Sequence, residues 1–398
     1  MRICFVSREF PPETHTGGIG TYTYKTSAAL ARLGHEAHVI TTARKPAAEY
    51  EDNGVAIHRI QEPDESGRAL RSVSHARAVA ETIAHIPGRL DIVQACEWGG
   101  EGFWYAMSPT RRAPLITRLA TPLFVVRRLN EAAPRRLLRS GWVTNTVERL
   151  QTVRSDGIIS PTAALAKIVC DEWKIAPERV TVVPTGASLG LTAQLADGPL
   201  PEALQGSDYL LYFGRLERRK GVHILSAALP TVLKAHPALK AVFVGEDLLH
   251  DGRPMADVIR DQNPEHADRL FFLPRMPQRE LFPVILGARL VVLPSLWENL
   301  ANTCLEAMQL GRPVVATWGC GFEEVIQDGV SGFLAQPGDA EALAARMLAA
   351  LADRAEAERV GEAARRRAAE FSIDAMATRL VDYYHQLLDS GSRRGASA

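Results

Sequence analysis

Two glutamates eight positions apart, Glu298 and Glu306, lie in the run "PSLWENLANTCLEAMQLGRPVVAT" from Pro294 to Thr317. A strand-like "RLVVLP" ends at Pro294, a loop "SLWEN" follows, and helical spacing starts near Leu300. That order puts Glu298 just before a helix start and Glu306 about two turns inside it. The free N–H groups of Leu300, Ala301 and their neighbours would then face an anion such as phosphate. Glu298 would accept hydrogen bonds from hydroxyls beside that anion, and Glu306 would grip a second polyol through both carboxylate oxygens. The plainer alternative is one charge complementing the helix dipole and one solvated acid on a helix face.

A second cluster, "LLYFGRLERRKGV" from Leu210 to Val222, runs a strand into Gly214, Arg215, Lys220 and Gly221. Two cations and two glycines at a strand end suit a polyphosphate, with Arg215 and Lys220 neutralising a leaving diphosphate. A surface charge cluster is the alternative. A third stretch, "PPETHTGGIGTYTYKTS", supplies Gly17, Gly18 and Gly20 between the first strand and a helix. It does not match the dinucleotide G-x-G-x-x-G spacing, and a plain turn explains it equally well.

Something must hold these stretches in place. Short Val/Ile-rich runs alternate with segments of helical period, the pattern of parallel sheets covered by crossover helices. Strands are predicted at Ile3–Ser7, Glu36–Thr41, Val55–Arg59, Asp91–Cys96, Leu115–Leu119, Gly157–Ser160 and Val180–Val183. The rhythm breaks over Gly186–Asp208, which reads as a linker. It resumes with strands at Tyr209–Phe213, Ala241–Val244, Leu270–Leu273, Leu290–Leu293, Val314–Ala316 and Gly332–Ala335, and Ala340–Leu388 reads as almost wholly helical. The fold class is therefore α/β, with two doubly wound domains and ligands expected at the carboxyl ends of the strands, in a crevice.

The totals agree. With 398 residues, two domains are the default. Lys plus Arg and Asp plus Glu are both 46, so no basic excess points to nucleic acid. Five cysteines at no metal-type spacing suit a reducing, cytoplasmic setting. "MRICFVSREFPP" reads as a first strand rather than a signal segment, and no apolar run approaches the roughly 18 to 20 residues that span a bilayer.

In their order along the chain these stretches resemble the retaining glycosyltransferases of glycosyltransferase family 4, which have the GT-B fold. The resemblance covers nearly the whole chain and includes "FPPETHTGGIG", "DGIISPTAAL", "VTVVPTGAS", "FGRLERRKGV", "LPSLWENLANTCLEAM", "GRPVVATWGCGFEEVI" and "DGVSGFLAQPGD". It implies two Rossmann-like domains facing across a crevice: residues 1–187 plus 375–398 on the acceptor side, and 188–374 binding the nucleotide sugar. A last helix would cross back to the first domain. Arg215 and Lys220 look like the pair that binds the donor diphosphate, and Glu306 like the acid that holds the ribose. Glu298, with the backbone of Asn299, Leu300 and Ala301, looks like the element that touches the donor sugar and its distal phosphate. Gly17 and Gly18 match the glycine loop that meets the donor phosphates.

The resemblance implies transfer of a hexosyl unit from a UDP- or GDP-linked sugar to a hydroxyl of a glycan, a lipid-linked or a small-molecule acceptor. The anomeric configuration would be retained, with no required cofactor or metal. No D-x-D triplet or cluster of His, Cys and carboxylates at ligand spacing stands in the sequence. The alternatives are a nucleotide-sugar epimerase or phosphorylase on the same fold, or a donor-binding relative without turnover.

One departure bears on catalysis. Many relatives carry a histidine in a pattern like R-L-H-T-P, whereas this chain reads "RLATP" with Ala120 at that place. His15, Glu97 and Arg118 are the candidates to serve that face or the acceptor. Glu97, in "QACEWGGEG", is placed at a strand end on the crevice side. Finally, residues 111–142 hold eight arginines against Glu131, a local charge of +7. Such a segment suits peripheral contact with the inner face of a membrane, a phosphorylated acceptor, or a solvated face paired with acids elsewhere.

Overall fold

A computed structural model describes residues 1–396 except 12, 15, 16, 63–67, 130–136, 188–197, 251 and 301, and omits the side chains of 68–73, 129, 137–140, 250 and 391–396. The chain divides into two compact units, Met1–Gly186 with Ile373–Ala398, and Ala187–Ser372. Against the sequence-derived boundaries, the first crossing comes one residue earlier and the return crossing two residues earlier.

In the first unit, the described strands are β1 (Arg2–Val6), β2 (Glu36–Ala43), β3 (Ala48–Asp52), β4 (Val55–Gln61), β5 (Ile92–Cys96), β6 (Leu115–Arg118), β7 (Gly157–Ser160) and β8 (Val180–Val182). They form one sheet in the order β3-β4-β2-β1-β5-β6-β7-β8, parallel except for β3. β1, β2 and β5 are buried along nearly their whole length, as expected of strands covered on both faces. The strand order reverses between β1 and β5.

The hairpin strand β3 is absent from the sequence reading. Its burial alternates between intermediate and exposed, so it lacks the apolar run used to find strands. It is made by the turn at Asn53 and Gly54, with φ of 51° and 75°, the geometry that favours Asn-Gly between antiparallel strands.

The C-terminal helix Ile373–Ala396 belongs to this first unit. Ile373, Ala377, Leu380 and Tyr384 share a core with Ile3, Phe5, Ile92 and Ile159. Tyr384 is fully buried, and its hydroxyl donates to Gln94 Oε1 at 2.7 Å. A phenol buried at that depth is costly without such a partner.

The second unit holds β9 (Tyr209–Phe213), β10 (Lys240–Val244), β13 (Leu270–Leu273), β14 (Leu290–Val292), β15 (Val314–Thr317) and β16 (Phe333–Ala335) in an all-parallel sheet ordered β13-β10-β9-β14-β15-β16. A two-stranded ribbon, β11 (Leu249–His250) with β12 (Arg253–Pro254), stands apart; at two residues per strand it carries no apolar signature. Here the order reverses between β9 and β14, so the loops that follow those two strands leave the sheet side by side.

The linker expected over Gly186–Asp208 is in part packed structure. The Ala187 N–H donates to the Phe371 carbonyl at 2.8 Å, Leu204 is buried, and a side chain on Gly198 would press on Arg279 and Pro283.

Candidate active site

The two loops at the strand-order reversal of the second unit are joined at several points. The Leu296 N–H donates to the Arg219 carbonyl at 2.9 Å. Gly221 has φ of +69°, and a Cβ there would fall on the Pro294 carbonyl oxygen, so both the conformation and the close approach require glycine. Gly245, at the end of β10, has φ of +154° and would likewise place a Cβ on the Gly214 carbonyl oxygen. The sequence reading passed over Gly245; its position directly after a strand, in "VGED", is the signal that could have found it.

This junction carries the charge. Lys220 Nζ donates to Glu298 Oε2, and Arg219 Nη1 lies 3.8 Å from the same oxygen. Glu298 is 9% exposed. Burial by itself would raise its pKa, yet Lys220 and Arg219, together with the Asn299 N–H, hold it below the ordinary carboxylate range. Arg219 also reaches Glu217 at 2.8 Å. Arg215 pairs with that same Glu217 at 3.2 Å but keeps half of its side chain in solvent. Arg215 therefore keeps donor groups open to solvent, while Lys220 is held in place by a carboxylate. Arg219 carries as much of the site as either, and the sequence reading did not single it out, although the doubled arginine in "ERRKG" marks it.

The helix expected near Leu300 runs Asn302–Gln309. Asn299 is not an open donor, because its amide serves the Glu298 carboxylate. The Glu298 carbonyl accepts from the Gly321 N–H at 2.9 Å, which keeps this turn out of the helix. Leu300 precedes the helix, and Ala301 lies outside the described residues. Glu306 sits about one turn inside rather than two, partly exposed, and accepts from Gln278 Nε2 at 2.9 Å.

In the first unit, Gly17 and Gly18 open the helix Gly18–Arg32, whose start has no side-chain cap. A Cβ at Gly17 would fall on Glu9 Oε2, and one at Gly20 would crowd the Glu9 carbonyl. At Gly18 a Cβ would meet nothing within 4 Å. Packing on backbone therefore accounts for Gly20, the Glu9 carboxylate beside Gly17 ends a flexible side chain that can move aside, and Gly18 has no packing reason among the described residues.

His15 lies outside the described residues. Glu97 and Arg118, read as candidates to meet an acceptor, are interior groups. Glu97 is 0% exposed, and both its carboxylate oxygens accept from the Ala120 N–H, at 2.9 and 2.8 Å. Glu97 does follow β5 directly, as expected, but its carboxylate turns inward to satisfy a backbone amide, and burial raises its pKa. Arg118 is stacked 3.6 Å over the Tyr22 ring and donates to Thr185 Oγ1 at 2.6 Å. Its guanidinium is engaged on a face and on an edge.

Two further buried carboxylates stand behind them. Glu148 accepts from the Gly99 and Leu123 amides, each at 3.0 Å, and burial pushes it up to about 8. Glu101 accepts from the Arg8 amide at 2.9 Å and is pushed by burial up to about 7.

The described arginines of the segment are not all free on one surface. Arg118 is buried, Arg111 is paired with Asp156 at 2.8 Å, and the side chains of residues 135, 136 and 139 lie outside the described set. Among the described residues no helix is long and apolar enough to cross a membrane, and no group of three or more His, Cys, Asp or Glu could hold a metal ion.

Comparison with known proteins follows the same division. The profile described as Glycosyltransferase Family 4 matches residues 16–190, and the profile described as Glycosyl transferases group 1 matches residues 201–367. The chain is 28% identical to a glycogen synthase of Mycobacterium tuberculosis (strain ATCC 25618 / H37Rv), covering 96% of this chain and 94% of that protein. It is 27% identical to a D-inositol 3-phosphate glycosyltransferase of Segniliparus rotundus, covering 96% and 87%. Among solved structures, sucrose-phosphate synthase from Thermosynechococcus elongatus superposes with a TM-score of 0.75 at 22% identity, covering 98% of this chain and 99% of that one. The Anabaena protein HepE in complex with UDP-glucose gives 0.70 at 18% identity, covering 97% and 100%.

Proposed function

Because the chain is a glycosyltransferase with the GT-B fold that uses a nucleotide-sugar donor, we propose that it is a retaining, family 4 hexosyltransferase acting on a nucleoside diphosphate glucose. The observation that carries this reading is the joined pair of loops after β9 and β14, which gathers Arg215, Arg219, Lys220 and Glu298 at one strand-order reversal.

The chemistry follows from where charge appears. Breaking the anomeric C–O bond leaves negative charge on the diphosphate and positive character on the sugar. Arg215, half exposed, and Lys220, anchored by Glu298, meet the growing phosphate charge in the role a divalent ion takes elsewhere. Because they are already oriented, little reorganisation accompanies the reaction. Glu298 acts by directing Lys220 through their ion pair, and its turn with Asn299 and Leu300 lies against the donor sugar. Glu306 receives the ribose hydroxyls, exchanging Gln278 for them. The uncapped helix start at Gly17 and Gly18 is the first unit's candidate to meet an anion. The acceptor hydroxyl attacks the face the diphosphate leaves and passes its proton to the departing phosphate.

Glucose as the sugar is supported by the Anabaena complex with UDP-glucose, and a polyhydroxylated acceptor by relatives named for glycogen and for D-inositol 3-phosphate. A reducing cytoplasmic setting belongs to the same reading, since all five cysteines are free and buried.

The test is a panel of UDP-, ADP- and GDP-sugars with glucan and cyclitol phosphate acceptors, followed by mass spectrometry for products and NMR for the new anomeric centre. Transfer from a nucleoside diphosphate glucose with retained configuration is expected; an inverted product, or an epimer formed without acceptor, overturns the proposal. A second reading, donor binding without turnover, is favoured by Ala120 alone. Calorimetric nucleotide binding with no product from any pair would select it.

A further inference from the structure

At the opposite, N-terminal edge of the first unit's sheet lies a groove of about 1050 Å³. Arg89 precedes β5, Arg111 and Arg112 precede β6, and Arg179 precedes β8; Tyr383 and Leu387 of the C-terminal helix also line the groove. The helix lies tight on this edge, because a Cβ at Gly157 would fall on the Tyr383 hydroxyl.

Two of the four guanidinium groups are fixed. Arg111 holds Asp156 at 2.8 Å and the Arg154 carbonyl at 3.1 Å; Arg179 donates to the carbonyls of Ser155 at 2.9 Å and Val153 at 3.1 Å. Arg89 and Arg112 are exposed and have no side-chain partner among the described residues. The acids lining the groove are Asp156, already paired, and the exposed Glu178, so positive charge is in surplus. A second cavity of about 190 Å³ adjoins, lined by Ala80, Ile83, Ile86, Leu90 and Tyr105, and it shares Arg111, Arg112 and Ala113 with the groove.

A cationic groove that opens into an apolar pocket matches a ligand with an anionic head and an apolar end. We propose that this edge binds an organic phosphate, its phosphoryl oxygens against Arg89 and Arg112 and its less polar part in the adjoining pocket. Arginine forks suit phosphate oxygens in pairs. Reacting ligands of open α/β sheets sit at the carboxyl ends of the strands, so this is a site apart from the reaction. A ligand joining the sheet edge to Tyr383 and its neighbours would fasten the C-terminal helix.

The test compares the full chain with its R89Q/R112Q variant, titrated calorimetrically with hexyl phosphate and, as the uncharged control, hexanol. Any contribution from the reaction site is common to both chains, so the difference reports the groove whether or not the proposed transfer is correct. The expected result is hexyl phosphate binding that weakens at least tenfold in R89Q/R112Q and at least tenfold for hexanol, with an unchanged Tm for the unliganded variant. No binding, equal binding by the variant, or equal binding of hexanol overturns the proposal. Sedimentation with phosphatidylcholine vesicles, with and without one-fifth phosphatidic acid, separates the sources. Acid-dependent sedimentation lost in R89Q/R112Q assigns a lipid headgroup, and hexyl phosphate binding without sedimentation assigns a soluble phosphate.

Discussion

Lys220 and Glu298 are 78 positions apart in sequence and share a hydrogen-bonded ion pair, one from the loop after β9 and the other from the loop after β14. An unpaired buried charge costs on the order of 3–5 kcal/mol; with Lys220 removed, Glu298 keeps only Arg219 at 3.8 Å and the Asn299 N–H, so that range is an upper bound. Lys220→Met should therefore lower urea-unfolding stability by up to about that amount, and the double variant K220M/E298Q should recover most of the loss. Transfer should stay at least a hundredfold down in both, since the phosphate has lost its amine. Recovery of turnover in the double variant would show that the pair serves the fold alone.

Gly221→Ala meets two obstacles at once, a φ of +69° and the Pro294 carbonyl. A loss of about 2–4 kcal/mol in denaturant unfolding is expected, since a strained φ alone costs roughly 1–3 kcal/mol. Gly18→Ala has neither obstacle; its stability should be unchanged while its transfer rate falls, and an unaltered rate would remove Gly18 from the site.

Glu306 is partly exposed, and one of its carboxylate oxygens accepts from Gln278 Nε2. Glu306→Ala should leave the unfolding midpoint within about 0.5 kcal/mol of the parent, the usual range for surface changes. Affinity for the nucleoside diphosphate should drop about tenfold, in line with one lost charge-assisted hydrogen-bond set. Calorimetric titration with UDP checks it, and unchanged affinity would release Glu306 from the ribose.

The buried acids set a pH dependence. Glu148 and Glu101 have folded values of about 8 and about 7, both raised by burial above the ordinary carboxylate range. Between that range and those values the folded chain holds protons that the unfolded chain releases, so stability falls as pH rises. From pH 6 to pH 8 the two groups together remove up to about 4 kcal/mol, so the Tm should fall by roughly 10 °C on the scale of about 2–4 °C per kcal/mol for units of this size. Glu148→Gln should flatten that slope, and a parent Tm independent of pH over this interval would contradict the burial argument.

What the sequence made legible divides along physical lines. Parallel strands buried on both faces declare themselves as Val/Ile runs, and β9, β10 and β14 were each found to within one or two residues. β3 was missed because "AEYED" is polar and half exposed, though the Asn53-Gly54 turn beside it was readable. At the site, residue types and order were enough to select Lys220 and Glu298 one at a time. That they pair with each other was not readable, because it depends on β9 and β14 being neighbours although β10 to β13 intervene in the chain. Glu97 does end β5, but a glutamate after a strand says nothing about which way its carboxylate turns, and here the Ala120 amide beyond the neighbouring strand captured it.

Tyr384 closes the core that Ile3 and Phe5 begin. During synthesis, the lobe started first is thus the lobe completed last. Residues 187–372 can collapse into their own sheet while the earlier 186 residues still lack a wall, and they must wait with apolar surface open to water until the final helix emerges. A chain truncated between Ser372 and Tyr384 would have one finished half and one half exposed to chaperones and proteases.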